Sequence, residues 1–123
     1  MPRILIIDDD PNLCALLEQV FSAPGYQVMV ANDGNKGLQV AKDYKPDVVI
    51  VDLNMPEING HQVCVGLRAE PATSNIPIMM LTAVRELPAA MKGMASGAND
   101  FMTKPFQNDE VLARVEALLK RRS

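Results

Sequence analysis

Four segments carry residues able to do chemistry at a charged oxygen centre. Asp8, Asp9 and Asp10 stand together near the N-terminus. Asp52 heads the stretch Asp52-Leu53-Asn54-Met55-Pro56, and Thr82-Ala83 and Lys104-Pro105 each follow an apolar run. Carboxylates brought together repel, and one is driven to hold a proton unless a cation intervenes. A donor set made of oxygen, with no His or Cys cluster, suits Mg²⁺, with Mn²⁺ as the alternative, rather than zinc. Mg²⁺ takes one or two carboxylates and completes its shell with water and phosphate oxygens, so the set reads as a phosphate site. Lys104 then supplies a point positive charge for phosphoryl oxygens, and Thr82 a hydroxyl donor. A carboxylate is also a nucleophile toward phosphorus, giving an aspartyl phosphate. Catalysis of that transfer is mostly positioning and charge neutralisation, which a metal and a lysine provide.

These groups meet only if several strands deliver them to one edge. Apolar runs recur at Ile4–Ile7, Val28–Ala31, Val48–Val51, Ile78–Leu81 and, more weakly, Phe101–Thr103. The first, third and fourth are continuous, the pattern of strands covered on both faces of a parallel sheet. Helical spacing fills the gaps. Leu13, Leu16, Leu17 and Val20 follow Asp10-Pro11, a cap and first-turn pair, and stop at Pro24-Gly25. Leu38 and Ala41 mark a second helix closed by Lys45-Pro46, and Val63 and Leu67 a third beginning after Gly60. Met91, Met94 and Ala95 mark a fourth, from near Pro88 to Gly97. Val111, Val115, Leu118 and Leu119 mark a fifth, with Asn108 or Asp109 as cap and Lys120–Arg122 complementing its C-terminal dipole. Strands alternating with helices predict right-handed crossovers and a three-layer α/β sandwich. In such a sheet the functional crevice lies beyond the carboxyl ends of the strands, where the acids, Thr82 and Lys104 fall.

Composition narrows the partners. The chain has 123 residues, 48% hydrophobic and 22% charged, which excludes a disordered chain and fits one domain. Its net charge of −3 gives no electrostatic footprint for binding nucleic acid directly. No apolar run approaches the roughly 18 residues of a membrane span. Arg3 is followed by only four apolar residues, too few for a signal-peptide core. A reducing cytoplasmic setting is expected, with Cys14 and Cys64 as small buried or half-buried side chains. The methionines, Met91, Met94 and Met102 among them, are expected to fill core, and His61 to be exposed just inside the third helix. Gly66 should weaken that helix by about 1 kcal/mol relative to Ala.

Taken in order, these motifs resemble the response-regulator receiver domain of bacterial two-component signalling. The resemblance rests on Asp8-Asp9, Asp52-Leu53-Asn54-Met55-Pro56, Gly60, Leu81-Thr82-Ala83, Gly97-Ala98 and Lys104-Pro105-Phe106, and it covers essentially the whole chain. Any one of these is weak; their joint order and spacing are specific. The resemblance implies one receiver domain over residues 1–123, a flavodoxin-like (βα)5 fold with a doubly wound parallel sheet of order 2-1-3-4-5. It implies Asp52 as phosphoacceptor and metal binding by Asp8, Asp9, Asp52 and the backbone carbonyl of Asn54. It implies Thr82, Ala83 and Lys104 around the phosphoryl group, a cis bond before Pro105, and Phe101 as a switching aromatic. The donor would be a sensor histidine kinase or phosphotransfer protein, or a small acyl phosphate. The reader would be a downstream protein or output domain contacting the fourth helix, fifth strand and fifth helix, the face that also allows a homodimer. Such a domain is a switch, not an enzyme, promoting only its own phosphotransfer and dephosphorylation. Val84, two residues beyond Thr82, cannot orient a water by hydrogen bonding, so it is expected to give hydrolysis no help.

Two other readings compete. Asp8-x-Asp10 also resembles a haloacid-dehalogenase-type phosphohydrolase, with Asp8 as nucleophile and Asp10 as general acid. Against it, position 12 is Asn, no acidic pair follows Lys104, and Asp52 is left unexplained. A degenerate receiver that binds partners without phosphorylation is disfavoured by the complete acid, hydroxyl and lysine set.

Overall fold

The computed structural model describes residues 2–122, apart from the side chains of Val84, Ala90, Gly93, Met94, Ala95 and Arg122. Five strands alternate with five helices. They are β1 (Arg3–Ile7), α1 (Pro11–Ser22), β2 (Gln27–Ala31), α2 (Gly34–Tyr44), β3 (Val48–Asp52), α3 (Gly60–Ala69), β4 (Ile78–Ala83), α4 (Leu87–Ser96), β5 (Asp100–Lys104) and α5 (Asn108–Arg122). A single 3₁₀ turn, Val84–Glu86, leads into α4. All strand pairs are parallel and the sheet order is β2-β1-β3-β4-β5.

Strand alternation sorts the hydrocarbon into two layers. Ile4, Ile6, Val48, Ile50, Met79, Leu81 and Met102 face α1 and α5, against Leu17, Phe21, Val111, Val115 and Leu118. Leu5, Ile7, Val49, Val51, Ile78 and Met80 face the other way, against Ala41, Val63, Cys64 and Leu67. Every residue of β1 from Ile4 and of β3 is buried, which is why those runs read as continuous. The β2 edge strand alternates instead.

Helix starts follow local chemistry. Asp10 caps α1, its carboxylate accepting from the Asn12 backbone N–H at 2.9 Å. Asp33 caps α2 through Lys36 N–H at 2.7 Å. Asn59 and Gln62 form a reciprocal capping box on α3.

The structure corrects several sequence expectations. Strands 3, 4 and 5 run past their apolar cores to take in Asp52, Thr82-Ala83 and Lys104, because the parallel ladder pairs Asp52 with Leu81 and Ala83 with Lys104. Asp52, Thr82 and Lys104 therefore stand within their strands rather than just after them. Leu16 is 41% exposed; the buried stripe of α1 is Cys14, Leu17 and Phe21. Neither Asn108 nor Asp109 caps α5, since the Gln107 carbonyl accepts the first helical bonds and Asn108 is already helical. His61 is half-buried. Met91 is 57% exposed rather than core, whereas Met102 is buried; the side chains of Met94, Ala95 and Arg122 lie outside the described residues. Gly66 has a packing reason: a Cβ there would come within 2.9 Å of the Leu38 side chain on α2. Both cysteines are buried, and burial pushes each thiol up to about 11, so neither is a ready thiolate.

Candidate functional site

The carboxyl ends of β1, β3 and β5 converge. Asp8 directly follows β1 and continues its ladder, its N–H donating to the Ala31 carbonyl at 3.1 Å. Asp52 closes β3 and Lys104 closes β5. The Lys104 Nζ lies 3.2 Å from Asp52 Oδ1 and 3.8 Å from Asp8 Oδ2. One carboxylate oxygen each from Asp8, Asp9 and Asp52 falls within 4.8 Å of the others. Asp8 and Asp52 are buried and Asp9 is exposed, so the cluster opens to solvent on the Asp9 side.

Burial raises the Asp8 carboxyl to about 6, although the Asp10 backbone N–H donates to its Oδ1 at 2.9 Å. Burial also raises Asp52, opposed by the charge and hydrogen bond of Lys104 and by the Asn54 backbone N–H. The second Asp8 oxygen, Oδ2, is buried with no hydrogen-bond partner. A buried orphan carboxylate oxygen facing a lysine across 3.8 Å, with two further acids alongside, is the donor chemistry a hard divalent cation needs. The residues present therefore fit Mg²⁺.

The β3–α3 loop is shaped around this end. Gly60 N–H donates to the Leu53 carbonyl at 2.9 Å, and a Cβ on Gly60 would sit 2.8 Å from the Asp52 carbonyl oxygen. Only glycine lets α3 start so close to the strand that carries Asp52. Asn54 is exposed two residues on. Glu57 holds a left-handed backbone, φ 68°, and its carboxylate accepts from the Asn35 side chain at 3.2 Å.

Thr82 is buried, one residue beyond the Leu81 that pairs with Asp52, and its hydroxyl donates to the Ala83 carbonyl at 3.2 Å. Half-buried Ala83 pairs with Lys104. Phe101 is half-buried and packs on the α2–α4 layer; it pairs with Met80, which puts it beside Thr82 on the same sheet face. The Lys104–Pro105 bond is cis. The Val84 side chain lies outside the described residues. Asp10 stays out of the cluster, its carboxylate occupied as the α1 cap, which leaves the hydrolase reading without its general acid.

One group escaped the sequence reading. Arg68, which looks like an ordinary basic residue in the last turn of α3, donates hydrogen bonds to the carbonyls of Ser74, Ile76 and Gly97 and to the side chain of Asn99. No spacing in the sequence points from residue 68 to residues 97 and 99.

Fold and site define a doubly wound α/β domain whose strand ends present an acid triplet, a lysine and a buried threonine. The chain belongs to the response regulator receiver domain family, whose model matches residues 4–116. It is 46% identical over 98% of its length to the DNA-binding dual master transcriptional regulator RpaA of Synechocystis, of which it covers 50%. It is 42% identical over 97% of its length to the DNA-binding response regulator MtrA of Mycolicibacterium smegmatis, of which it covers 51%. The chain thus spans about half the length of the curated relatives it matches. Among solved structures, a response regulator from Chloroflexus aurantiacus superposes with a TM-score of 0.92 at 38% identity, covering 97% of this chain and 98% of that one. The chemotaxis protein CheY4 of Vibrio cholerae does so at 0.90 and 29%, covering 96% and 98%. The phosphohydrolase and degenerate-receiver readings are not favoured.

Proposed function

We propose that Asp52 is the phosphoacceptor of this receiver domain. The observation that carries the reading is the Lys104 ammonium 3.2 Å from Asp52 Oδ1, beside a buried Asp8 oxygen that has no hydrogen-bond partner among the described residues. An Asp52 carboxylate oxygen attacks the phosphorus of a phosphohistidine or small acyl phosphate. The bond from phosphorus to the donor nitrogen or oxygen breaks, and the leaving group keeps its electron pair. Lys104 opposes the rise that burial imposes on the Asp52 carboxyl and then holds a phosphoryl oxygen. The Thr82 hydroxyl turns from Ala83 to the new acceptor, and the Ala83 backbone lies against the same group. Asp8, Asp9, Asp52 and the Asn54 carbonyl would hold Mg²⁺, or Mn²⁺, which when bound neutralises charge on the transferring group.

Placement supports a switch. Thr82 moving toward the phosphoryl group vacates space on the face it shares with Phe101, and Phe101 turns into it. Phosphorylation in this way biases a two-state equilibrium of the α4–β5–α5 surface. A sensor histidine kinase or phosphotransfer protein is the donor. A downstream protein or an output domain reads the surface, as the DNA-binding relatives suggest, and this acidic chain does not itself contact DNA. A second copy would pair through the same face, which carries exposed Met91 and the Asp100–Arg114–Glu110 ion pairs. The domain acts as a cytoplasmic switch; among the described residues no helix is long and apolar enough to cross a membrane.

The test is incubation with acetyl phosphate and Mg²⁺ followed by intact-mass measurement, with Asp52→Asn and a chelator as controls. One phosphoryl addition, absent in both controls and labile to hydroxylamine, is expected. Label that survives Asp52→Asn but vanishes in Asp8→Asn would overturn the assignment.

A further inference from the structure

Far from the acid cluster, at the amino ends of β4 and β5, one side chain ties four segments together. The Arg68 guanidinium donates to Gly97 O from Nε at 3.1 Å and from Nη2 at 2.8 Å. It donates from Nη1 to Ser74 O at 3.0 Å and Ile76 O at 2.7 Å, and from Nη2 to Asn99 Oδ1 at 2.8 Å. The same Asn99 Oδ1 accepts from the Ile78 N–H at 2.8 Å, and Asn99 N–H donates to Ile78 O at 2.8 Å. The end of α3, the entry to β4, the end of α4 and the entry to β5 therefore share one planar cation.

Gly97 is built for this contact. Its φ of +120° suits glycine, and a Cβ there would lie 2.7 Å from Arg68 Cγ. Glycine is thus what lets the Arg68 stem lie against this backbone, and a lysine in place of Arg68 has neither the five donors nor the plane to reproduce its hydrogen bonds.

The other end of α4 is held differently. It follows directly from Thr82 and Ala83 through the 3₁₀ turn; Arg85 in that turn has a side chain 88% exposed, paired only with the adjacent Glu86 at 3.9 Å among the described residues, and Pro88 in the first turn of α4 is exposed. An element tied to its neighbours by a hydrogen-bond cluster at one end, and at the other, among the described residues, by packing of Ala89 without side-chain hydrogen bonds to other segments, moves by pivoting about the tied end.

We propose that Arg68 is a positioning residue that makes the Gly97 end of α4 a fixed pivot. The rearrangement started at Thr82 is then confined to the 3₁₀ turn and the first turns of α4, while the β5 entry stays in place. The inference rests on the phosphoacceptor reading above.

The test is amide hydrogen exchange read by mass spectrometry, with and without acetyl phosphate and Mg²⁺, on the wild type and Arg68→Lys. Intact mass is measured in parallel. In the wild type, loading should change exchange over residues 84–91 and leave residues 97–101 unchanged. In Arg68→Lys, phosphoryl uptake should persist, and loading should now change exchange at residues 97–101 as well, by roughly tenfold or more. Should Arg68→Lys not fold, Asn99→Ala cuts the β5 arm of the cluster and is read by the same criterion.

Equal loading-linked change at both ends of α4 in the wild type would overturn the pivot. So would a folded, phosphorylated variant whose residues 97–101 stay silent, since Arg68 would then be structural only. No mass gain in the wild type would sink the phosphoacceptor reading and the pivot with it. Mass gain with the wrong exchange pattern sinks the pivot alone.

Discussion

Phe21 and Phe101 sit on opposite faces of one sheet and are held in different ways. Phe21 is fully buried between α1 and the sheet, its ring edge-on to Tyr26 at 5.6 Å. Phe101 is half-buried against the α2–α4 layer. Asp8, Asp52 and Lys104 continue the side-chain alternation of the α1/α5 face, whereas Thr82 and Phe101 belong to the other. The acids and Lys104 stand on the face that holds fully buried Phe21, and the groups proposed to respond stand on the face that holds half-buried Phe101. Thr82 joins the two, since its neighbour Leu81 pairs with Asp52.

Truncating the two aromatics should separate these faces most sharply. Phe21→Ala is expected to cost about 3–5 kcal/mol. Phe101→Ala should cost about 1–2 kcal/mol, because less apolar surface is at stake, and should leave phosphoryl uptake intact. Urea denaturation with intact-mass assay checks both. Equal losses would break the comparison.

The face that carries Asp8 should also show a pH-linked loss of stability. The folded-state pKa of Asp8 is raised to about 6, so the folded protein binds this proton more tightly than the unfolded chain. The contribution of Asp8 to stability without metal, read against Asp8→Asn, should therefore fall as pH rises from about 4 through about 6, by on the order of 3 kcal/mol. Mg²⁺ should remove most of the fall by favouring the ionised acid. Denaturation midpoints at several pH values, with chelator and with Mg²⁺, test this; a rise over that window in chelator would refute it.

Smaller effects probe each face locally. Glu57→Gly, beside α2 and α3, should raise stability by about 1 kcal/mol by relieving the left-handed φ of 68°. Leu16→Ala on α1 should change it by no more than about 0.5 kcal/mol, while its neighbour Leu17 should behave as core. A large loss at Leu16 would mean that something covers this side of α1.

The legible parts were those written in local chemistry. The continuous runs of β1, β3 and β4 announced strands buried on both faces, and Asp10-Pro11 announced the start of α1. The motif order announced the family and, through it, the sheet order. Leu16 misled because helical spacing admits several stripes, and only the packing of Cys14, Leu17 and Phe21 against the sheet chose one. Asn108 and Asp109 misled because cap-forming residues also occur in first turns. Gly66 looked like a weakness because its use, room for Leu38, lies on another helix.

By itself the amino-acid sequence determined which residue types stand at the carboxyl end of each strand, because burial on both faces demands apolar runs and any polar residue ending one is conspicuous. Only the tertiary structure decided the rest. The ladder kept Asp52, Thr82 and Lys104 inside their strands; packing buried Asp8 with one oxygen unsatisfied; and Arg68 was carried to Gly97 and Asn99. Those outcomes depend on distances between segments far apart in the chain, set by parallel pairing and close packing rather than by any local preference.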